Sequence, residues 1–218
     1  MSSYVIKFLA KKEAAEKTTA FFFEKPKKFE FIPGQFIEIS LNKESHAFSI
    51  ASSPQEKELM IATRMRPSAF KNSLKNLKIG SRVKIEGPFG QFVLHKNRKI
   101  PAVFLAGGIG ITPFRSMIKD SPNHKITLLY SNRRPEDAAF LGELKESENR
   151  NKDFKLVAIM TGLTGHINSK MIKESVKESR NLIYYIVGST GFVQSMANRL
   201  ANMKVKSENI KTENFSGY

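Results

Sequence analysis

Short apolar stretches separated by turns occupy the first ninety residues of the chain. Six of them, at residues 4–10, 18–23, 35–41, 47–51, 59–65 and 82–86, are rich in β-branched and aromatic residues. Strands of this length, divided by turn sequences at this spacing, are typical of antiparallel barrels and sandwiches. We therefore predict an N-terminal antiparallel β-barrel, interrupted by one helix at residues 68–77.

The pattern changes after residue 100. Apolar runs at 101–106, 126–130, 154–160 and 182–187 alternate with helix-compatible stretches at 112–120, 136–148, 167–179 and 190–203. Alternation of buried strands with helices predicts an α/β domain with a doubly wound parallel sheet. The charged segment LHKNRK (94–99) separates the two patterns. We therefore predict two domains, at residues 1–96 and 97–218.

The segment FLAGGIGITPF (104–114) has the composition of a phosphate-binding loop. Gly107, Gly108 and Gly110 end an apolar run, and Ile111 and Thr112 start the next helix. Glycines at a strand–helix junction let pyrophosphate approach the bare backbone N–H groups of the helix start. We expect Thr112 to cap that helix. The same composition also suits an ordinary strand–helix turn.

Six segments in order resemble the ferredoxin–NADP(+) reductase superfamily. They are HAFSIASS (46–53), TRMRPSAFK (63–71), GPFG (87–90), the glycine loop, YIVGSTGF (185–192) and ENF (213–215), and the resemblance covers essentially the whole chain. It implies that the barrel binds FAD and that the α/β domain binds NAD(P)H. It also implies that hydride passes from the nicotinamide to flavin N5, and that the electrons then leave for an acceptor.

The resemblance also assigns roles to individual residues. It implies a catalytic set in which Ser49 hydrogen-bonds flavin N5, Phe215 lies over the flavin, and Glu213 handles a proton or orients the nicotinamide. The residues that it implies contact the cofactors are His46, Ala47, Phe48, Ser49, Thr63, Arg64, Ser68, Ala69, Phe70, Lys71, Gly107, Gly108, Gly110, Ile111, Thr112, Gly188 and Phe215. A strand serine, core rings and a simple capped helix are the plainer interpretations of the same residues.

Two positions depart from the family pattern. His46 stands where the family has an arginine, and a neutral imidazole cannot grip phosphate as a guanidinium does. We therefore expect FAD to be held more weakly, unless Arg64 or Arg66 substitutes. Val187 stands where the family has a cysteine, which is not a covalent catalyst there, so hydride transfer does not require it.

Basic residues follow the second strand of the α/β domain, where an adenosine ribose is expected. Ser131, Arg133 and Arg134 lie in the segment YSNRR (130–134). An acidic residue there would favour the free 2′-hydroxyl of NADH, whereas serine and arginine suit the 2′-phosphate of NADPH. We expect NADPH to be favoured over NADH, with a solvated basic turn as the alternative interpretation.

The absence of cysteine from the composition excludes several classes of function. The 218 residues contain no cysteine, so they offer no disulfide and no iron–sulfur cluster of their own, and the acceptor must be separate. We expect no metal site, because the histidines lack ligand spacing. The first ten residues do not resemble a signal peptide, and no apolar run approaches the length of a bilayer span. A cytoplasmic protein without membrane contact is therefore expected.

The net charge of +16 admits two interpretations. The charge is explained by a proteome-wide bias towards lysine, or it serves to attract a small acidic electron carrier, ferredoxin or flavodoxin, by electrostatic steering. The competing functions are a flavin or ferric reductase that uses flavin as a substrate, a nucleotide-binding regulatory module, and a nucleic-acid binder. The basic residues are scattered and form no recognisable nucleic-acid motif, so we expect no nucleic-acid partner.

Overall fold

Two separate sheets account for the two patterns along the chain. The structure is a computed structural model that describes residues 2–176 and 181–215. The first sheet contains β1 (Ser3–Ala15), β2 (Thr18–Glu24), β3 (Phe36–Leu41), β4 (Glu44–Ser49), β5 (Glu58–Arg64) and β6 (Arg82–Phe89). Its order is β4-β3-β6-β1-β2-β5, and every neighbouring pair is antiparallel. Helix α1 (Ala69–Lys75) lies between β5 and β6 in the chain.

The second sheet is parallel and carries the remaining helices. Its elements are β7 (Ala102–Gly107), α2 (Ile111–Asp120), β8 (Ile126–Asn132), α3 (Leu141–Arg150), β9 (Phe154–Met160), α4 (Thr161–Thr164), α5 (Ser169–Ser175), β10 (Ile183–Gly188), α6 (Thr190–Asn202) and β11 (Ile210–Asn214). The order β11-β10-β7-β8-β9 confirms the doubly wound α/β prediction. Within the parts of the chain that the structure describes, no helix has the length and apolar character to cross a bilayer.

Several element boundaries differ from the sequence prediction. The helix predicted at 136–148 begins at Leu141, because a 3₁₀ turn (Pro135–Asp137) and Phe140 with φ of 60° precede it. The strand predicted at 47–51 is β4, which ends at Ser49. The helix predicted at 167–179 is α5, and residues 177–179 of that range lie outside the described residues. Strand β11 was not predicted, because its sequence IKTEN contains no apolar run.

One hydrophobic core runs through both sheets. Buried Ala20 and Met60 of the antiparallel sheet belong to the same cluster as Phe104 and Phe114 of the parallel sheet and α2. The long β1–β2 hairpin contributes to it, with Ala14, Ala15 and Phe22 packed against its edge. Burial of apolar surface therefore fixes the two sheets against each other.

A buried arginine reinforces this contact between the sheets. Arg115 of α2 is 6% exposed and donates to the Ala51 carbonyl at 2.7 Å. Its guanidinium also binds two carboxylates, Glu56 at 2.9 and 3.0 Å and Glu143 at 2.7 and 2.9 Å. Burial alone would raise the pKa of Glu56, but hydrogen bonds and charge from Arg115, aided by Lys119, hold it at about 2. The Glu56 carboxylate is therefore ionised at neutral pH.

Candidate active site between the two sheets

A cleft of about 380 Å³ opens where the two sheets meet. The antiparallel sheet and α1 line it with Phe36, His46, Ala47, Phe48, Ser49, Ala62, Thr63, Ser68, Phe70 and Lys71. The parallel sheet and its loops line it with Ile109, Thr112, Glu213, Asn214 and Phe215. Residues predicted from widely separated segments of the sequence thus share one cavity.

Three rings form an aromatic wall of this cleft. His46 and Phe48 are two residues apart in β4, so their side chains point to the same face of the sheet. Phe70 of α1 packs against both: its ring centroid lies 4.3 Å from that of His46 and 5.8 Å from that of Phe48, with a 23° angle to the latter ring. Such a wall suits a planar aromatic ligand, because aromatic rings favour offset stacking.

Polar groups from β4 and α1 lie beside the aromatic wall. Ser49 ends β4 and is 8% exposed. The Ser68 hydroxyl caps α1 by accepting from the Lys71 backbone N–H at 3.1 Å. The Lys71 amine donates to the Arg64 carbonyl at 2.7 Å, and burial, followed by the charge of Arg66, lowers the pKa of Lys71. A half-buried cation therefore stands at this corner of the cleft.

On the opposite side, β11 supplies an acid and a ring. Parallel pairing sets Glu213 opposite Val187, and the Phe215 N–H donates to the Gly188 carbonyl at 3.0 Å. Burial raises the pKa of Glu213 to about 7. Its Oε2 atom is buried and has no hydrogen-bond partner among residues 2–176 and 181–215. Glu213 is therefore suited to take up or release a proton near neutral pH.

The three glycines of the loop after β7 have different tasks. A Cβ at Gly107 would lie 2.8 Å from the Phe192 ring, and one at Gly110 would lie 2.5 Å from the Val187 carbonyl oxygen. These two glycines are required by packing between β7, β10 and α6. Gly108 has a φ of +56° and open space where a Cβ would be, so it is the loop glycine that a ligand can approach.

The helix after the loop starts differently from the prediction. Helix α2 begins at Ile111 with Gly110 as its N-cap, and no side chain caps it. The Thr112 hydroxyl instead donates to the Ile109 carbonyl at 3.1 Å. The prediction that Thr112 caps the helix was wrong, because the helix starts one residue earlier and a 3₁₀ turn (Gly108–Gly110) precedes it.

Part of the predicted set lies outside the cleft. These residues are Arg64, Ala69, Gly107, Gly108, Gly110, Ile111, Ser131, Arg133, Arg134 and Gly188. Many of them mark the carboxyl ends of the parallel strands, and the register sets Ser131 of β8 opposite Gly107 of β7. The structure therefore has two adjoining regions, the cleft and this sheet edge.

The two predicted arginines of the sheet edge have different surroundings. Arg134 pairs with Glu16 at 2.6 Å and with Asp137 at 3.4 Å. Arg133 is exposed, and within the described ranges no ion pair engages its guanidinium. Its backbone carbonyl accepts from the Gly162 N–H at 3.1 Å. Arg133 is therefore available to an anion, whereas Arg134 is already neutralised.

Sequence reasoning missed four residues that line the cleft: Phe36, Ala62, Ile109 and Asn214. Phe36 enters because the β3–β4 register sets it opposite Ser49. Ala62 precedes the predicted Thr63, and Ile109 lies between two predicted loop glycines. Only the tertiary arrangement of the elements separates such residues from ordinary core positions, and the sequence pattern does not contain that information.

The fold and the cleft define a class: a two-domain oxidoreductase fold in which an antiparallel sheet and a doubly wound sheet share one site. Two family models match the corresponding parts of the chain. "Oxidoreductase FAD-binding domain" matches residues 6–94, and "Oxidoreductase NAD-binding domain" matches residues 104–198. The chain belongs to the ferredoxin–NADP(+) reductase superfamily, whose cofactors are FAD and a nicotinamide dinucleotide.

Curated relatives and solved structures agree with this assignment. The chain is 26% identical to a flavohemoprotein of Oceanobacillus iheyensis over 85% of this chain and 51% of the relative. It is 28% identical to one component of the Na(+)-translocating NADH-quinone reductase of Pseudomonas aeruginosa, over 78% of this chain and 48% of the relative. The chain thus spans about half the length of these relatives.

Among solved structures, the fold is similar to a ferredoxin NADP+ reductase from Neisseria gonorrhoeae with bound FAD and NADP. The TM-score is 0.84 at 19% identity, covering 98% of this chain and 99% of the other. An Amycolatopsis cytochrome P450 reductase gives a TM-score of 0.87 at 20% identity, covering 98% of this chain and 70% of the other. At these identities the likeness concerns the fold.

Proposed function

We propose that the chain is an NAD(P)H-dependent flavin oxidoreductase that holds FAD in the cleft and passes electrons to a separate acceptor. The observation that carries this proposal is the cleft itself. It brings Ser49, the aromatic wall of His46, Phe48 and Phe70, and the pair Glu213 and Phe215 into one cavity. When bound, the flavin supplies the hydride-accepting chemistry.

The residues of the cleft then have defined tasks. Ser49 would donate its hydroxyl hydrogen to the bound flavin at N5, and Phe48 would pack against the flavin ring. Phe215 would lie over the flavin and shield it until a nicotinamide takes its place. Glu213 exchanges a proton close to neutral pH, in agreement with its raised pKa of about 7. Together these groups orient the two rings and exclude water.

We assign the FAD phosphates to the corner formed by β4, β5 and α1. Lys71 provides the half-buried positive charge, and the backbone of Ser68, Ala69 and Phe70 provides N–H donors at the start of α1. Thr63 and Ala47 line the cleft nearby. The His46 side chain is 54% exposed and 3.7 Å from Glu44, so its grip on phosphate is expected to be weak. This division of labour corresponds to functional domains at residues 1–96 and 97–218.

We assign the dinucleotide to the sheet edge. Its pyrophosphate approaches Gly108 and the N–H groups of Ile111 and Thr112, and its adenosine ribose lies at Ser131. Leu163 is 79% exposed in α4, directly after β9, and offers an apolar surface to the adenine. NADPH remains the favoured donor on the strength of Arg133 alone.

The acceptor is proposed from charge and composition. These 218 residues contain no cysteine to hold an iron–sulfur cluster, and their net charge is +16. A small acidic carrier such as ferredoxin or flavodoxin fits that charge, because opposite charges accelerate encounter. We propose a cytoplasmic location, where such carriers and NADPH occur.

A second candidate is a free-flavin or ferric reductase that uses flavin as a substrate. One observation favours it: the ring that replaces the family arginine is exposed and faces a carboxylate. In that case flavin leaves during purification and turnover requires added flavin.

An absorbance experiment tests the proposal. Purified protein is reconstituted with FAD, desalted, and mixed anaerobically with NADPH or NADH. We expect a retained flavin spectrum that bleaches with both nucleotides, and slower bleaching in Ser49→Ala. Ser45→Ala, on the exposed end of β4, is the matched control and should behave as wild type. A protein that stays colourless and shows no diaphorase activity would refute the proposal, whereas activity only with added flavin would establish the second candidate.

A further inference from the structure

The tip of the β1–β2 hairpin reaches across to the sheet edge that follows β8. The Glu16 backbone N–H donates to the Glu136 carbonyl at 2.8 Å, and the Glu16 carboxylate pairs with Arg134 at 2.6 Å. A second tie joins the same two regions, since Arg64 of β5 lies 3.6 Å from Asp137. The antiparallel sheet thus places a carboxylate on a basic residue of the parallel one.

This contact falls where the adenosine ribose is expected. In doubly wound sheets the pyrophosphate lies at the loop after the first strand, and the ribose lies at the carboxyl end of the next strand. Here Ser131 pairs with Gly107 in the register, so the end of β8 directly adjoins the glycine loop. Arg134 follows three residues later and is the second of two arginines at that edge.

We propose that Glu16 is a specificity-determining residue that competes with the 2′-phosphate of NADPH for Arg134. While Glu16 holds the guanidinium, NADPH gains little over NADH from this arginine. This inference rests on the proposed function and deepens it, because it assigns the choice of nucleotide to a residue of the other sheet.

The two carboxylates on Arg134 differ in how easily they can be replaced. The Asp137 side chain is 7% exposed and is also held by Arg64, so it remains in place. The Glu16 side chain is 42% exposed, and an exposed ion pair is a weak one. A phosphate dianion can therefore displace Glu16, and removal of Glu16 should free Arg134 for the phosphate.

The charge balance at the edge supports the same conclusion. Arg64, Arg133, Arg134 and Lys17, whose amine lies 3.9 Å from the Glu16 carboxylate, are opposed there by Glu16, Glu136 and Asp137. Four positive charges meet three negative ones, so the edge as a whole attracts a dianion only weakly. Loss of the Glu16 charge raises the net charge of the edge from one positive charge to two and relieves direct repulsion of the phosphate.

The test compares two ligands that differ only in the 2′-phosphate: adenosine 5′-monophosphate and adenosine 2′,5′-bisphosphate. Their dissociation constants are measured by calorimetry at fixed low salt on the FAD-loaded full chain. We expect Glu16→Gln to tighten binding of the bisphosphate by about 3- to 10-fold, because charge-assisted bonds to phosphate are strong. Binding of the monophosphate should change by less than about twofold, because it lacks the group that Arg134 would contact.

Two further variants make the assignment specific. Glu13→Gln removes the same charge from the same hairpin at an exposed site away from Arg134, and it should leave both affinities unchanged. Addition of Arg134→Gln to Glu16→Gln should cancel the gain for the bisphosphate. If Glu16→Gln does not fold, Glu16→Asp, which withdraws the carboxylate by one methylene group, should give a smaller gain in the same direction.

The outcomes separate the inference from the function on which it rests. If both adenylates bind and Glu16→Gln leaves their affinity ratio at the wild-type value, the role of Glu16 is refuted while the nucleotide site stands. If Glu13→Gln gives the same gain, the effect is general electrostatics and the role of Glu16 is again refuted. If neither adenylate binds and NADPH does not bleach the flavin, the proposed function itself is wrong.

Discussion

Replacement of Glu213 by glutamine should change how the stability of the protein depends on pH. The ordinary pKa of a glutamate is 4.5, and burial raises that of Glu213 to about 7. Between these two values the folded state holds a proton that the unfolded state has released. The contribution of Glu213 to stability therefore falls as the pH rises from 4.5 to 7, and that contribution is constant on either side of the window.

The magnitude follows from the same two values. One pKa unit corresponds to about 1.4 kcal/mol, so the full shift corresponds to about 3 kcal/mol, and partial contact with solvent reduces it to about 2–3 kcal/mol. Glutamine has no charge to bury and loses this dependence. Between pH 5 and pH 8, which covers most of that window, the unfolding free energy of Glu213→Gln should rise by about 2 kcal/mol relative to that of wild type.

Urea unfolding at pH 5, 6, 7 and 8, with saturating FAD in every sample, measures this difference. Glu208→Gln is the matched control, because that side chain is 73% exposed and lies five residues away. Its difference from wild type should be flat with pH. If Glu213→Gln is equally flat, Glu213 ionises like an exposed carboxylate in the protein, and its assignment as a proton-exchanging group near neutral pH fails.

Three further predictions concern other residues. His46→Arg should slow FAD dissociation, because a guanidinium is permanently charged and can bind a phosphate with two parallel N–H bonds. Arg133→Asp should lower kcat/KM more for NADPH than for NADH. The difference corresponds to about 1.5–3 kcal/mol of transition-state binding free energy, because the variant loses a charge-assisted bond to the 2′-phosphate. Arg115→Met should lower the unfolding free energy by about 3–5 kcal/mol, because it leaves two carboxylates without their buried partner.

Each of these has a contrary result. If His46→Arg releases FAD as fast as wild type does, the side chain at position 46 does not contact the phosphate. Equal losses with NADPH and NADH would make Arg133 an ordinary surface residue. Lys119→Met is the control for Arg115→Met, because Lys119 sits at the more exposed rim of the same cluster. If the two variants lose equal stability, the buried arginine has no special part in joining the sheets.

Local pattern was sufficient to predict most of the elements. Clustered apolar residues identified β7 to β10, because buried parallel strands are apolar on both faces. The polar edge strand β11 lacks that signature, and only its pairing with β10 makes it a strand. The late start of α3 depends on the positive φ of Phe140, and the local sequence does not predict that backbone conformation.

The cleft was partly predictable for a related reason. A local motif identifies its own functional residues, so Ser49, Phe70 and Glu213 could be predicted from segments far apart in the chain. Contacts between distant segments could not be predicted in this way. Nothing in the sequence around Arg134 indicates that Glu16 would neutralise it, and nothing around Arg115 indicates Glu56 as its partner, because such pairs depend on how the two sheets dock.

The position of the β1–β2 hairpin has a consequence for protein engineering. The chain consists of two modules joined by a short charged segment, and that segment is the obvious place to cut when the second module is exchanged between relatives. The hairpin belongs to the first module by sequence, yet Ala14, Ala15 and Phe22 pack against the shared core. In a chimera cut at the linker, the exchanged second module would therefore pack against a hairpin from a different protein. A functional exchange must transplant residues 14–22 together with the second module.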